Sequence, residues 1–164
     1  MKLAALCAFA LYAITGFAPP LMAQDAGLVV PGNSAFRVDD TGTVVLDPVL
    51  EMQWQPAGNA PHASLVSAST RVSVQLNVAA WEGRSGRIYM SLPRTSGPTV
   101  RAAWKTGGAL IPGSLLSGQR SLVFAGPIPR PILRDLIEIT LEADGSRLVQ
   151  PEALSFGFEI EVDR

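Results

Sequence analysis

The side chains that could do chemistry in this 164-residue chain are few and scattered. His62 is the sole histidine, and it stands in the loop-forming run Gln55-Pro56-Ala57-Gly58-Asn59-Ala60-Pro61-His62-Ala63. A catalytic triad would need it beside an activated serine. Ser85, in Gly83-Arg84-Ser85-Gly86, lacks the nucleophile-elbow spacing, and so do Ser114 and Ser117. A zinc site needs several nitrogen or sulfur ligands, so His62 reads as a solvated loop residue. Asp135, Glu138, Glu142 and Asp144 are near enough in sequence to suggest paired acid–base carboxylates. Glu138 and Glu142, however, fall on the outward face of an alternating strand, as do Glu159 and Glu161, and solvated charge is ordinary there. Calcium would need carboxylates gathered on a loop, and only Asp39, Asp40 and Asp47 come near that. The residues imply no catalytic centre, no cofactor and no metal ion.

Two further groups carry a sharper chemical suggestion. Asp40-Thr41-Gly42-Thr43 resembles the short signature of aspartic proteases, in which two such carboxylates share a proton and activate water. A single copy would serve only in a symmetric dimer, and Asp39 stands where that family has an apolar residue. The same letters make a turn for conformational reasons alone, since Asp bonds its own backbone and Gly relieves crowding, and a turn is the expectation. Trp54, Trp81 and Trp104 each close a predicted strand. Aromatics so placed either cap a core or form a flat platform for sugar rings, and capping is the expected role.

Charge excludes one class of partner. Lys2 lies in the N-terminal segment discussed next; without it the chain has 12 basic and 14 acidic residues, a formal charge of 12 − 14 = −2, with no basic run. Nucleic-acid binding requires a basic footprint and is not expected. Residues 3–17 are almost wholly apolar, follow Met1-Lys2, and are broken by Ala18-Pro19-Pro20 before Leu21-Met22-Ala23. That is the pattern of a secretory signal peptide cleaved after Ala23. The run is short of the ~20 residues that span a bilayer, so no membrane span is expected after cleavage. Cys7, the only cysteine, lies inside this segment. The 164 − 23 = 141 residues left would be exported to the periplasm, the cell surface or the medium. They have no thiol and no disulfide, and are numerous enough to bury one core unaided.

The remaining sequence is punctuated at short intervals. Residues 24–41 read as an extended arm rich in Gly, Pro, Asn and Ser. Strands are expected at 43–46, 49–54, 71–78, 86–92, 99–104, 114–116, 121–125, 136–142 and 154–162, from alternation and from β-branched content. The segment joining 71–78 to 86–92 reads as a hairpin connection, and Asp144-Gly145 as a second hairpin turn. Pro127, Pro129 and Pro131 lack the amide donor of a central strand and predict a rigid loop that blunts a sheet edge. No helical periodicity persists. The expectation is an all-β chain: one Ig-like, Greek-key β-sandwich of about eight to ten strands occupying residues 42–164, after a signal peptide (1–23) and an arm (24–41).

The C-terminal strand is the most regular, with Phe156, Phe158, Ile160 and Val162 on one side and Gly157, Glu159 and Glu161 on the other. Signal segment, extended arm, alternating strands and this closing strand together give a layout similar to bacterial fimbrial (pilus) subunits and related surface β-sandwiches. The resemblance implies a non-catalytic structural or protein-binding module, held by a periplasmic chaperone and completed by a neighbouring subunit's arm through strand addition. Phe156, Phe158, Ile160 and Val162 would then face the partner, and residues 24–39 would be the donor. The chain departs from those subunits in having no cysteine after residue 7 and in ending Asp163-Arg164. The other reading is a complete periplasmic or extracellular sandwich that binds carbohydrate or another small ligand through Trp54, Trp81 or Trp104.

Overall fold

Among the described residues, alternation becomes ten strands. In chain order they are β1 (Ala35–Arg37), β2 (Val44–Val45), β3 (Gln53–Trp54), β4 (Leu65–Asn77) and β5 (Ser85–Ser91). Then follow β6 (Arg101–Thr106), β7 (Gly113–Leu116), β8 (Arg120–Pro127), β9 (Ile132–Asp144) and β10 (Gly157–Val162). The structure is a computed structural model and describes residues 34–56, 64–148 and 154–163. Two antiparallel sheets pack face to face, so the expected all-β sandwich is the fold. One sheet has the order β1-β10-β5-β8; the other runs β2-β4-β9-β6-β7, with β3 also paired to β4. Among the described residues no helix is long and apolar enough to cross a membrane.

The spine is the pairing of β4 with β9, thirteen residues each, with Leu65 opposite Asp144 and Asn77 opposite Ile132. This register puts Val72 beside Ile137 on the core face and Ser73 beside Leu136 on the outer face. Val74, Leu76, Ile137 and Ile139 are buried as their alternation demands. Ile88 and Met90 of β5, with Phe158 and Ile160 of β10, meet them from the other sheet. Arg71, Glu138 and Lys105 lie side by side on the outer face, where opposite charges on adjacent strands suit one another.

Both expected hairpins are absent, for one reason. β4 has β2 and β3 on one edge and β9 on the other, and β9 is flanked by β4 and β6, so neither offers a free edge to the strand that follows it. The chain crosses to the other sheet instead. After β4, Val78 is buried and its N–H donates to Pro131 O at 2.8 Å. A short 3-10 turn (Ala79–Trp81) follows, and Gly83 at φ 77° turns the backbone into β5, a conformation glycine adopts without a steric penalty. The Gly83 N–H donates to Ile128 O, and the Ile128 N–H to Arg84 O. The proline-rich stretch begins at Pro127, the last residue of β8, which is an edge strand as its prolines lead one to expect, and it continues as the companion crossing, with Ile128 buried. At Asp144-Gly145 the backbone enters a 3-10 turn (Gly145–Arg147), in which the Ser146 N–H and hydroxyl donate to Asp144 Oδ1 at 3.1 and 2.6 Å.

Candidate protein-binding edges

The seam between the first and last strands is where the resemblance placed a partner. β1 comes from the segment expected to be an arm, and it pairs antiparallel with β10: Ala35 opposite Glu161, Phe36 opposite Ile160, Arg37 opposite Glu159. The Val38 N–H then donates to Phe158 O at 2.9 Å, and Val38 itself is buried. The outer edge of β10 is thus occupied by the chain's own arm over a ladder three residues long. On the other side β10 pairs with β5 over six residues, from Gly157–Ser91 to Val162–Gly86. Phe158 and Ile160 are fully buried in this chain's core, whereas Phe156 and Val162 pack against it half-buried.

The outward side of β10 does not carry the freely solvated charge that alternation suggests. The Glu161 side chain is only 7% exposed and accepts a bond from Arg120 Nη2 at 2.9 Å. The same guanidinium lies 3.6 Å from Glu159 Oε2 and sits over the Tyr89 ring, 4.5 Å from its centroid. Arg120 reaches there from β8, across β5, so one side chain ties three strands of the smaller sheet together on its outer face. Local alternation cannot reveal this, because the covering group comes from residue 120.

The three tryptophans do not assemble into a platform. Trp104 is buried on β6, and its indole N–H donates to Ile111 O at 2.9 Å, the capping role expected of it. Trp81 sits half-buried in the 3-10 turn after β4, its ring centroid 6.2 Å from that of Phe36. Trp54 pairs with Val66 near the opposite end of β4. Val66 and Asn77 are separated by about 35–40 Å of extended strand, so Trp54 and Trp81 lie at opposite ends of the sandwich.

Nor do the candidate catalytic carboxylates converge; most act on their own backbone neighbourhood. At the Asp40-Thr41-Gly42-Thr43 signature the chain makes the expected turn, with the Thr43 N–H donating to Asp40 O at 2.8 Å. Asp39 supports it by accepting from the Thr41 N–H and hydroxyl at 3.1 and 2.8 Å, and these bonds hold its carboxyl below the usual range. The Gln75 side chain lies against Gly42, and Thr43 bonds the Gln75 backbone, docking the turn on β4. Asp135 accepts from the Leu110 N–H at 2.8 Å, and Glu142 pairs with Arg101 at 3.3 Å. Asp144 caps its 3-10 turn and is held below the usual range, chiefly by the Ser146 hydroxyl and then by Ser64. His62 lies outside the described residues. Among the described residues no group of three or more His, Cys, Asp or Glu side chains could hold a metal ion.

A second edge was not singled out by sequence. Val44 and Val45 of β2 pair with Ser73 and Val72, and Gln53 and Trp54 of β3 with Ser67 and Val66, so residues 44–54 form one interrupted edge strand along β4. Between Val45 and Gln53 there are eight residue steps, against five between Val72 and Ser67. The three extra residues form a bulge containing Pro48. Val44, Val45, Leu46, Val49 and Trp54 are 54%, 42%, 46%, 86% and 61% exposed, half of the ten large hydrophobics that the described residues leave exposed. Val45 and Trp54 face the core side by register, yet remain open to solvent. The legible signal was the unbroken apolar run Val44-Val45-Leu46 followed by Asp47-Pro48, since a proline inside strand-like sequence marks an edge. No protein family, curated protein or solved structure matches this chain.

Proposed function

We propose that this chain is an exported, non-catalytic β-sandwich serving as a structural or protein-binding subunit, joined to its neighbours by strand addition at the outer edge of β10. One observation carries the reading: the arm's first described strand and the chain's last strand are hydrogen-bonded antiparallel neighbours at a sheet edge. Backbone bonds of this kind are made equally well by the same segment of another copy. The chain's own β1 is held there by a ladder of only three residues and the following Val38 N–H bond to Phe158 O, a short stretch for another copy to replace. A periplasmic chaperone would use the same slot by presenting a strand of its own.

The test follows from the register. The Val38 N–H to Phe158 O bond makes that pair a hydrogen-bonded one, so Arg37 and Glu159 form the adjacent non-bonded pair, with Cα atoms about 4.5 Å apart, a spacing that a disulfide tolerates. An Arg37→Cys, Glu159→Cys chain, with Cys7 removed or replaced, is oxidised and run on a non-reducing gel. Strand addition between copies gives covalent dimers and higher multimers that increase with concentration. Intramolecular bridges alone, at every concentration and after refolding from urea, overturn the reading.

A further inference from the structure

We propose that the turn from Asp39 to Thr43 is a latch on the β10 edge: β1 leaves β10 only when residues 39–43 come off β4 with it, in one local opening. This rests on the reading of that edge as the partner site and says what controls access to it.

Two neighbouring residues are held by different sheets. The Val38 N–H donates to Phe158 O of β10 at 2.9 Å, and Asp39 O accepts from the Asn77 N–H of β4 at 2.9 Å. Consecutive Cα atoms are about 3.8 Å apart, so Val38 has almost no freedom to move while Asp39 stays on β4. Val38 is also buried in the core. A strand tethered so closely cannot be carried to the β10 of another copy. Once residues 39–43 are released, six steps separate Val38 from Val44, the first residue of β2, a span of about 20 Å when extended. That is about twice the ~10 Å between packed sheets, enough to carry β1 across to a neighbouring sandwich.

One hydroxyl fastens the far end of the latch. Thr43 Oγ1 donates to Gln75 O at 3.3 Å and accepts from the Gln75 N–H at 3.0 Å, making with a side chain the two bonds that the backbone of an edge strand would make there. The Thr43 N–H donates to Asp40 O at 2.8 Å, and the Asp39 carboxylate accepts from the Thr41 N–H and hydroxyl. Residues 39–43 are therefore bonded to one another as well as to β4, which is why they open together. Immediately beyond, Val44 and Val45 are in ladder with Ser73 and Val72, so the opening stops there. Removing the Thr43 hydroxyl takes two bonds from the latch and none from β1.

Native-state amide hydrogen exchange of the purified chain, followed by NMR at several urea concentrations, tests this. The reporters are the Val38 and Asn77 amides, because neither bond involves Thr43. Both are expected to exchange through one opening, with the same urea dependence and a slope well below that of global unfolding. Thr43→Val accelerates both about tenfold, the effect of losing two hydrogen bonds. Thr43→Ser, which keeps the hydroxyl, stays close to wild type, and amides of the β6–β9 ladder are unchanged by either variant. In the chain with cysteines at 37 and 159, Thr43→Val also raises the yield of covalent multimers. Exchange of Val38 while Asn77 stays protected overturns the proposal. So does exchange of either amide only through global unfolding, the absence of protection at both, or a Val38 amide indifferent to Thr43→Val. Failure of the partner reading is distinct: a coupled opening without multimers removes strand addition between copies and leaves the latch, whereas multimers whose yield ignores Thr43→Val remove the latch and leave strand addition.

Discussion

Truncating Ile160 separates a filled core from an open groove. If the space beneath β10 is closed by this chain alone, Ile160→Ala removes three buried carbons, about 2.4 kcal/mol at roughly 0.8 kcal/mol per methylene. The hole cannot collapse easily. Ile88 is buried in register with Ile160, and a methyl on Gly86 would already meet Ile160 Cδ1 at 3.6 Å. A cavity contribution brings the expected loss to about 3–4 kcal/mol, inside the range of Ile-to-Ala changes in cores. Val162, on the same face but half-buried, should lose only about 0.8 kcal/mol on truncation to Ala. Urea unfolding followed by tryptophan fluorescence reads both, with buried Trp104 as the main reporter. With a slope near 1.5 kcal/mol per M, Ile160→Ala lowers the midpoint by about 2 M and Val162→Ala by about 0.5 M. Equal, small shifts for the two variants in the monomeric protein would mean that Ile160 lines an unfilled groove, and the core assignment would be refuted.

Two other expectations rest on side chains that tie strands or turns together. Arg120→Met takes a charged hydrogen bond from the mostly buried Glu161 while leaving much of its own stem in place; a loss of about 1–2 kcal/mol is expected, moderated because Arg120 itself is half-exposed. A double-mutant cycle with Glu161→Gln measures that coupling, and a coupling near zero would show that the pair contributes nothing to stability. Asp39 and Asp144 have carboxyls lowered in the folded state, from 3.8, by the bonds to Thr41 and to Ser146. Their contribution is therefore complete above the unfolded value and is lost as the pH falls through the lower folded value. Asp39→Asn and Asp144→Asn, which keep an acceptor without a titrating charge, should flatten the fall in urea midpoint below about pH 4; an acid limb identical to wild type would show that these bonds are not linked to folding.

Much of the architecture was legible before any coordinates. Residues 71–78, 86–92 and 136–142 alternate so regularly that their strands and their inward residues could be read directly, and Asp39 to Gly42 could be read as a turn. Period-two alternation records which face of a strand is buried, and that is a local property. The extent of β4 and β9 was underestimated, because Ser67, Ala68 and Ser69 carry little apolar signal and are held in β4 by their partners on β9, Glu142, Leu141 and Thr140.

Sequence alone determined that this is an all-β chain with one strongly amphipathic closing strand and dispersed polar groups, because those properties are written into spacing and composition. Tertiary structure alone decided which strands are neighbours. Asp144-Gly145 has the letters of a hairpin, but β9 already had β4 and β6 on its two edges, so the strand that followed had to join the other sheet. The same competition for edges put the chain's own Ala35–Arg37 beside β10, brought Arg120 across the sheet to Glu161, and left residues 44–54 as an exposed apolar edge. A strand has two hydrogen-bonding edges, and which segments fill them is settled by the whole chain, not by the residues within the strand.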